Sequence, residues 1–279
     1  MDIKIQKIDD IEIPSGAKVK IKKLNHIVEV SYIQSKSYAL SNYTKLNKDL
    51  MINNETGELI EVEHSESRKD NMSSIKKSIT KMRDIINLNF IGALNELFIT
   101  LTYKDNMRDS KKLYNDFKNF YKRLKKKYNE IEFKYVYAVE PQGRGAWHIH
   151  LLLKAINKDV LYIHNSEIEK LWRQGFTKTE RLENIDNVGA YVSSYLIDYK
   201  DDSGHIEKHM RLYMYPVGIN IYRCSKNCLM PSCDEIEYSD IKNQLPEKCK
   251  TWQSTIQIVD DSNTVLNTLK KEYYNLKRL

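Results

Sequence analysis

The sequence predicts an α+β fold: a central antiparallel sheet with helices packed on one face, flanked by additional N-terminal strands and a C-terminal extension. Three observations predict it. Short β-rich runs alternate with segments of helical period in the order β-α-β-β-α-β-α-β between residues 97 and 225. Two of the runs follow each other directly across a turn-rich segment, which reads as a hairpin. Polar stretches set this block apart from what precedes and follows it, giving expected divisions at 1–70, 71–228 and 229–279.

The elements follow in order. KVKIKK and HIVEVSYI are short strands, and NNETGELIEVEHSESRKD after them has little apolar content and reads as a linker or loop. Ile75, Ile79, Met82, Ile85 and Ile86 recur at helical spacing between Ser73 and Leu88. LFITLTY, from Leu97 to Tyr103, is a buried strand. Asp109 or Ser110 can cap a helix that runs to about Tyr128, with Leu113, Phe117, Phe120, Tyr121 and Leu124 on one face. Its other face carries Lys111, Lys112, Lys118, Lys122, Arg123 and Lys125 to Lys127, most of which suit an ordinary solvated surface. IEFKYVYAVE and AWHIHLLLK are strands joined through PQGRG. A helix over Ser166 to Trp172, a strand TKTERL, a helix from Asn187 through GAYVSSYLIDY and a strand within YMYPVGINIYRCS complete the block.

Composition narrows the function. The 279 residues are 41% hydrophobic and 30% charged, an ordinary soluble balance, and no apolar run approaches the length of a membrane helix. MDIKIQKIDDIEI lacks the apolar core of a secretory signal, so the expected location is the cytoplasm. An excess of 45 Lys and Arg over 38 Asp and Glu, with nineteen Tyr, suits a polyanionic partner. Cys224, Cys228, Cys233 and Cys249 are spaced C-x3-C-x4-C-x15-C without a C-x2-C knuckle. Reduced thiols are therefore expected, with zinc as the alternative.

The chemistry centres on two patterns. In a strand, alternation puts His148 and His150 on one face and Ile149 on the other. If the hairpin turns through Gly143-Arg144-Gly145, Glu140 lies opposite His148 on that face, and two imidazoles with a carboxylate suit Mg²⁺ or Mn²⁺ and leave positions for phosphate oxygens. A polar patch without metal is the plainer reading of the same residues. Tyr191 and Tyr195 lie at i and i+4 of a helix and share a face. Such a pair is more often packing than catalysis, and a tyrosine becomes a nucleophile when its target is polarised or its proton removed.

Taken in order, LFITLTY, AVEPQGRGAWHIHLLL and NVGAYVSSYL resemble the three motifs of the HUH endonucleases, in particular the rolling-circle replication initiators of plasmids, integrative elements and phages. YPVGINIYRCSK is similar to the end of that family's domain, and the resemblance spans about Ser73 to Lys226. It implies an HUH or palm-like nuclease fold, metal-binding His148 and His150 with Glu140 as third ligand, and Tyr191 and Tyr195 as nucleophile candidates. It further implies site-specific nicking of single-stranded or cruciform origin DNA, a 5′-phosphotyrosine intermediate, a 3′-OH for a host polymerase, and a host helicase, since the chain carries no helicase motifs. The expected DNA contacts are Thr100, Thr102 and Lys104 at the first motif, Arg144 in the turn, and Lys122 and Arg123 on the lysine-rich helix. One departure is the lysine that many members carry three residues after the nucleophile: Ser194 and Asp198 hold those places, which leaves the choice of tyrosine open. Tyr199 is the next candidate after the pair. A transposase of the same chemistry, a non-catalytic DNA-binding regulator and a zinc-stabilised RNA-binding protein are the competing readings; no RNP-like run supports the last.

Overall fold

The middle of the chain alternates strands and helices, whereas its two ends are mostly strand. The structure, a computed structural model, describes residues 4–35, 43–46, 50–53, 58–61, 72–196, 215–216 and 218–278. In chain order the elements are β1 (Lys4–Ile8), β2 (Lys18–Leu24), β3 (Ile27–Ile33), β4 (Tyr43–Lys45), β5 (Leu50–Asn53), β6 (Leu59–Glu61), α1 (Met72–Asn89) and β7 (Glu96–Thr102). There follow α2 (Ser110–Lys127), β8 (Phe133–Pro141), β9 (Trp147–Ala155), α3 (Asn165–Trp172), β10 (Thr177–Glu180) and α4 (Val188–Ser194). The last are β11 (Tyr222–Cys224), β12 (Asp234–Glu237), α5 (Tyr238–Lys242), β13 (Lys250–Val259) and β14 (Val265–Asn275). They divide into two units, one made of Met1–Ser65 with Ser232–Leu279, the other of Glu66–Pro231.

The unit Glu66–Pro231 is built on an antiparallel five-stranded sheet in the order β10-β7-β9-β8-β11. β8 and β9 are its hairpin. Gln142 donates to the Ala146 carbonyl and Gly145 to that of Gln142, and Gly145 has φ +88°, where a side chain would be strained and would meet the Arg108 guanidinium. The apolar residues of α1 noted above are all buried, as are Leu113, Phe117, Phe120 and Leu124 of α2. Asp109 caps α2, accepting from the Lys111 and Lys112 amides, and Lys125 to Lys127 lie at its negative dipole end. Helices touch both faces of this sheet, where the sequence pointed to one. Phe117 of α2 packs on Tyr135 and Tyr137, whereas Tyr191 of α4 packs on Phe98, which faces the opposite way.

Buried polar groups fix the ends of the strands. Glu96 is fully buried, accepts from the amides of Ile91, Gly92 and Ala93, and pairs with Lys154 at 2.9 Å, which holds the α1–β7 connection against β9. At the other end of β7, the buried Trp172 donates from its indole to the Thr102 carbonyl at 2.6 Å.

In the other unit a six-stranded sheet runs β1-β13-β14-β3-β2-β12, and β4, β5 and β6 form a three-stranded sheet of their own. β1 pairs with β13 and β12 with β2, so segments that the sequence treats as separate N- and C-terminal extensions share one sheet. Ile13, Val19, Ile21, Val28, Val30, Ile241 and Leu245 are among its core. Beside them lies a buried polar network: Glu272 pairs with Lys270 at 3.0 Å and accepts from the hydroxyls of Tyr238 and Tyr274. All four cysteines are free thiols, Cys224 and Cys228 in the first-described unit, Cys233 and Cys249 in this one.

Candidate active site

The register of three strands builds the site. Glu140 of β8 stands opposite His148 of β9, Ala138 opposite His150, and on the other side of β9 Thr102 and Thr100 of β7 stand opposite the same two histidines. Directly paired residues share a face, so Glu140, both histidines and both threonines line one side of the sheet. The Glu140 carboxylate reaches past its direct partner to His150, with Oε2 2.8 Å from Nε2. His150 is 4% exposed, while His148 and Glu140 are half-buried. The two imidazole centroids are 6.3 Å apart. Nδ1 of His150 is buried without a hydrogen-bond partner among the described residues. Glu140 and His150 are thus in contact with His148 beside them, and among the described residues no three His, Cys, Asp or Glu are gathered as a metal cage.

The tyrosine pair closes over this face from α4. Asn187 caps that helix by accepting from the Ala190 amide, and the Gly189 amide donates to Asn87 of α1. A Cβ at Gly189 would come within 2.7 Å of the Arg83 carbonyl, so glycine lets α4 sit directly on α1. Tyr191 lies within the helix and Tyr195 is its C-cap, and their hydroxyls are 2.9 Å apart. Phe98, a buried residue of β7, is the common floor: its ring centroid is 5.6 Å from Tyr191, 5.5 Å from Tyr195 and 5.9 Å from His150. The rings of Tyr195 and His150 are 4.7 Å apart. Burial, the hydrogen bond with Tyr191, and the charges of Tyr191, Glu180 and Glu140 push the Tyr195 hydroxyl well above the usual tyrosine range. The helix expected to run on through LIDY is described to Ser194, and Asp198 and Tyr199 lie outside the described residues.

The expected DNA contacts divide. Thr100 and Thr102 are on the histidine face, and the Thr102 hydroxyl donates to the Phe176 carbonyl at 2.7 Å. Lys104 and Lys122 are exposed. Arg144 is occupied with the protein itself: it donates to the carbonyls of Tyr103 at 2.6 Å and Lys104 at 3.3 Å, tying the hairpin turn to the end of β7. Arg123 is likewise engaged, donating to the Leu171 and Trp172 carbonyls that close α3, and burial lowers its pKa. Both guanidiniums therefore brace the scaffold, because the carbonyls they meet end a strand and a helix and need donors.

Two neighbours escaped the sequence reading. Phe98 was readable as the alternation partner of Thr100 and Thr102 within LFITLT. Lys178 of β10 is opposite Thr100, pairs with Glu180 at 2.8 Å, and its ammonium is favoured first by that carboxylate and further by Tyr191. A cation thus stands near the tyrosines from a strand, although the nucleophile helix offers none at the motif position.

These residues fall in one block of the chain. Residues 96–201 match the family model of the replication-associated protein ORF2. The matched stretch holds Glu140, His148, His150, Tyr191 and Tyr195, and stops short of β11. None of the curated proteins matches the chain. Among the described residues no helix is long and apolar enough to cross a membrane.

Proposed function

We propose that the chain initiates DNA replication by nicking one strand at an origin and keeping hold of it through Tyr191 or Tyr195. The observation that carries this reading is the tyrosine pair, hydroxyls 2.9 Å apart, packed on the His150–Glu140 contact within a stretch that matches replication-associated proteins. That match also favours an initiator over a transposase.

Glu140, His148 and His150 would hold a Mg²⁺ or Mn²⁺ ion, whose chemistry is to withdraw charge from phosphate oxygens. Their donor types suit such an ion, and the buried Nδ1 of His150 together with the 2.8 Å approach of its Nε2 to a carboxylate oxygen is the crowding expected of neighbouring ligands. A tyrosine oxygen attacks phosphorus in line. The new O–P bond forms as the bond to the 3′-oxygen breaks, and the phenolic proton is matched by one taken up on that oxygen. Phe98 and the α1–α4 contact hold the phenol ring, which reduces the freedom lost in reaching an attack geometry. The second hydroxyl, within hydrogen-bond distance, is positioned to orient the first or to act in a later turn. The phosphotyrosine diester keeps the energy of the broken linkage, so attack by a 3′-OH reverses it and rejoins the strand. A host helicase and polymerase would act on the products.

The test is incubation with labelled single-stranded origin candidates and Mn²⁺, followed by denaturing electrophoresis. A covalent protein–DNA band that maps to Tyr191 or Tyr195 supports the reading. A cleaved strand with free 5′-phosphate and no adduct in the time course would remove the tyrosine mechanism.

A further inference from the structure

Away from the histidines, the unit Glu66–Pro231 has two clefts that meet at the edge strand β11. One, of about 630 Å³, lies between β11 and α1 and is lined by Lys77, Lys81 and Tyr222 among others. The second, of about 500 Å³, lies between α2 and β8 and is lined by Lys118, Lys122 and Lys226 with Tyr121 and Tyr135. Arg223 and Cys224 line both, so the two are continuous across the strand.

The lining has a consistent chemistry. Lys77, Lys81, Lys118, Lys122, Arg223 and Lys226 are all exposed, and neither cleft is lined by Asp or Glu. Among the described residues none of these five lysines is in an ion pair, in contrast to Lys112 and Lys127 on the same α2, which pair with Asp116 and Glu167. Flat rings lie between the cations. Arg223 sits over the Tyr114 ring at 3.6 Å, and the rings of Tyr121 and Tyr135 are 4.7 Å apart at the floor of the second cleft. Phosphate-spaced cations interleaved with ring faces are what an unpaired nucleic-acid strand engages; a duplex keeps its base faces stacked inside.

The register connects this edge to the site. Tyr222 stands opposite Ala138, which stands opposite His150, so all three share a face. Two strand spacings put Tyr222 about 10 Å from His150. Arg223 points the other way with Tyr137, toward α2. A strand leaving the histidine face can therefore run past Tyr222, cross β11, and continue along the lysines of α2.

We propose that the β11 edge is a single-stranded DNA track, separate from the nicking residues, that carries the strand from the catalytic face of the sheet to its opposite face. The proposal rests on the reading above for the choice of DNA over RNA. Its binding chemistry is independent of cleavage.

The test measures binding alone, by fluorescence anisotropy of a labelled oligothymidine about 16 nucleotides long across a salt series. The triple variant Lys118→Gln, Lys122→Gln, Lys226→Gln should make the log–log salt slope shallower by about 2, since each single-strand phosphate contact contributes about 0.7. Tyr222→Leu should weaken binding at least about fivefold at every salt concentration and leave the slope alone, because stacking carries no counterion. The charge-matched control Lys18→Gln, Lys20→Gln, Lys23→Gln on β2 should keep the wild-type slope. An unchanged slope in the first triple variant, an equal loss in the control, or full affinity in Tyr222→Leu would overturn the track. An equal slope change with duplex DNA of the same length would overturn its single-stranded assignment. Adduct formation is scored apart from these, so a protein that binds as expected but never forms an adduct would sink the nicking reading and leave the track in place.

Discussion

Replacing each tyrosine of the pair by phenylalanine separates chemistry from packing, and the 2.9 Å contact between their hydroxyls sets the size of both effects. Either single substitution removes the same hydrogen bond and leaves one half-buried hydroxyl without that partner, at a cost of about 1 kcal/mol. The double substitution removes both hydroxyls and keeps both rings on Phe98. Its stability should then be no worse than that of either single variant, a coupling of about 1 kcal/mol in the double-mutant cycle. In a domain of this size that corresponds to a melting shift of about 2–4 °C for each single variant. The assay pairs thermal melting with adduct formation on a labelled origin strand. Adduct should be lost entirely in the double variant while DNA binding persists, and the single variants tell whether one tyrosine or both can act. Adduct in the double variant would refute the assignment and turn attention to Tyr199. Singles that melt like wild type while the double falls would refute the shared hydrogen bond.

Three further outcomes are expected. His148→Ala with His150→Ala should abolish adduct and leave the far-ultraviolet spectrum intact, and chelation of wild-type protein should do the same until Mn²⁺ is restored; adduct formed in excess chelator contradicts the metal role. Glu96→Ala leaves Lys154 and three loop amides without their buried acceptor, which should cost about 3–5 kcal/mol. At 2–4 °C per kcal/mol, the melting temperature should fall by roughly 6–20 °C, and a drop under about 3 °C would mean the pair is not structural. Burial raises the Asp10 carboxyl, but the hydrogen bond and charge of Lys270, aided by Thr255 and Lys250, more than reverse this and hold it below 3.8. A folded-state pKa below the unfolded value gives stability that is present above pH 3.8 and is lost as pH falls through that value toward the folded one. Asp10→Asn should therefore flatten the acid side of the urea midpoint against pH; an unchanged acid limb would show that Asp10 is not linked to folding.

The nuclease-like half of the chain was legible because its patterns are local. The helices from Met72 and Ser110 and the hairpin from Phe133 follow apolar periods that nothing interrupts, and the alternation of AVEPQGRGAWHIH is enough to set Glu140 opposite His148. The roles of Arg144 and Arg123 were not legible, since which carbonyl a guanidinium meets depends on where a strand and a helix end in space. β13 and β14 escaped for another reason. Their inward positions include Thr255, Lys270 and Glu272, polar residues satisfied by one another and by Tyr238, Tyr274 and Asp10, so the hydrophobic alternation that marks a strand is absent where it should be strongest. β1 and β13 also meet across the whole chain, and no local signal announces such a pair.

That long-distance pairing has a consequence during synthesis. Lys4 is hydrogen-bond partner to Val259, so β1 leaves the ribosome long before the strand that completes it exists. At about 5–20 residues per second the wait is roughly 10–50 s, ample time for the five-stranded sheet and its helices to form first. During that interval β2 and β3 present an open edge to every other nascent chain, and the lysines at 18, 20, 22 and 23 are the kind of charge that discourages such strands from joining a stranger.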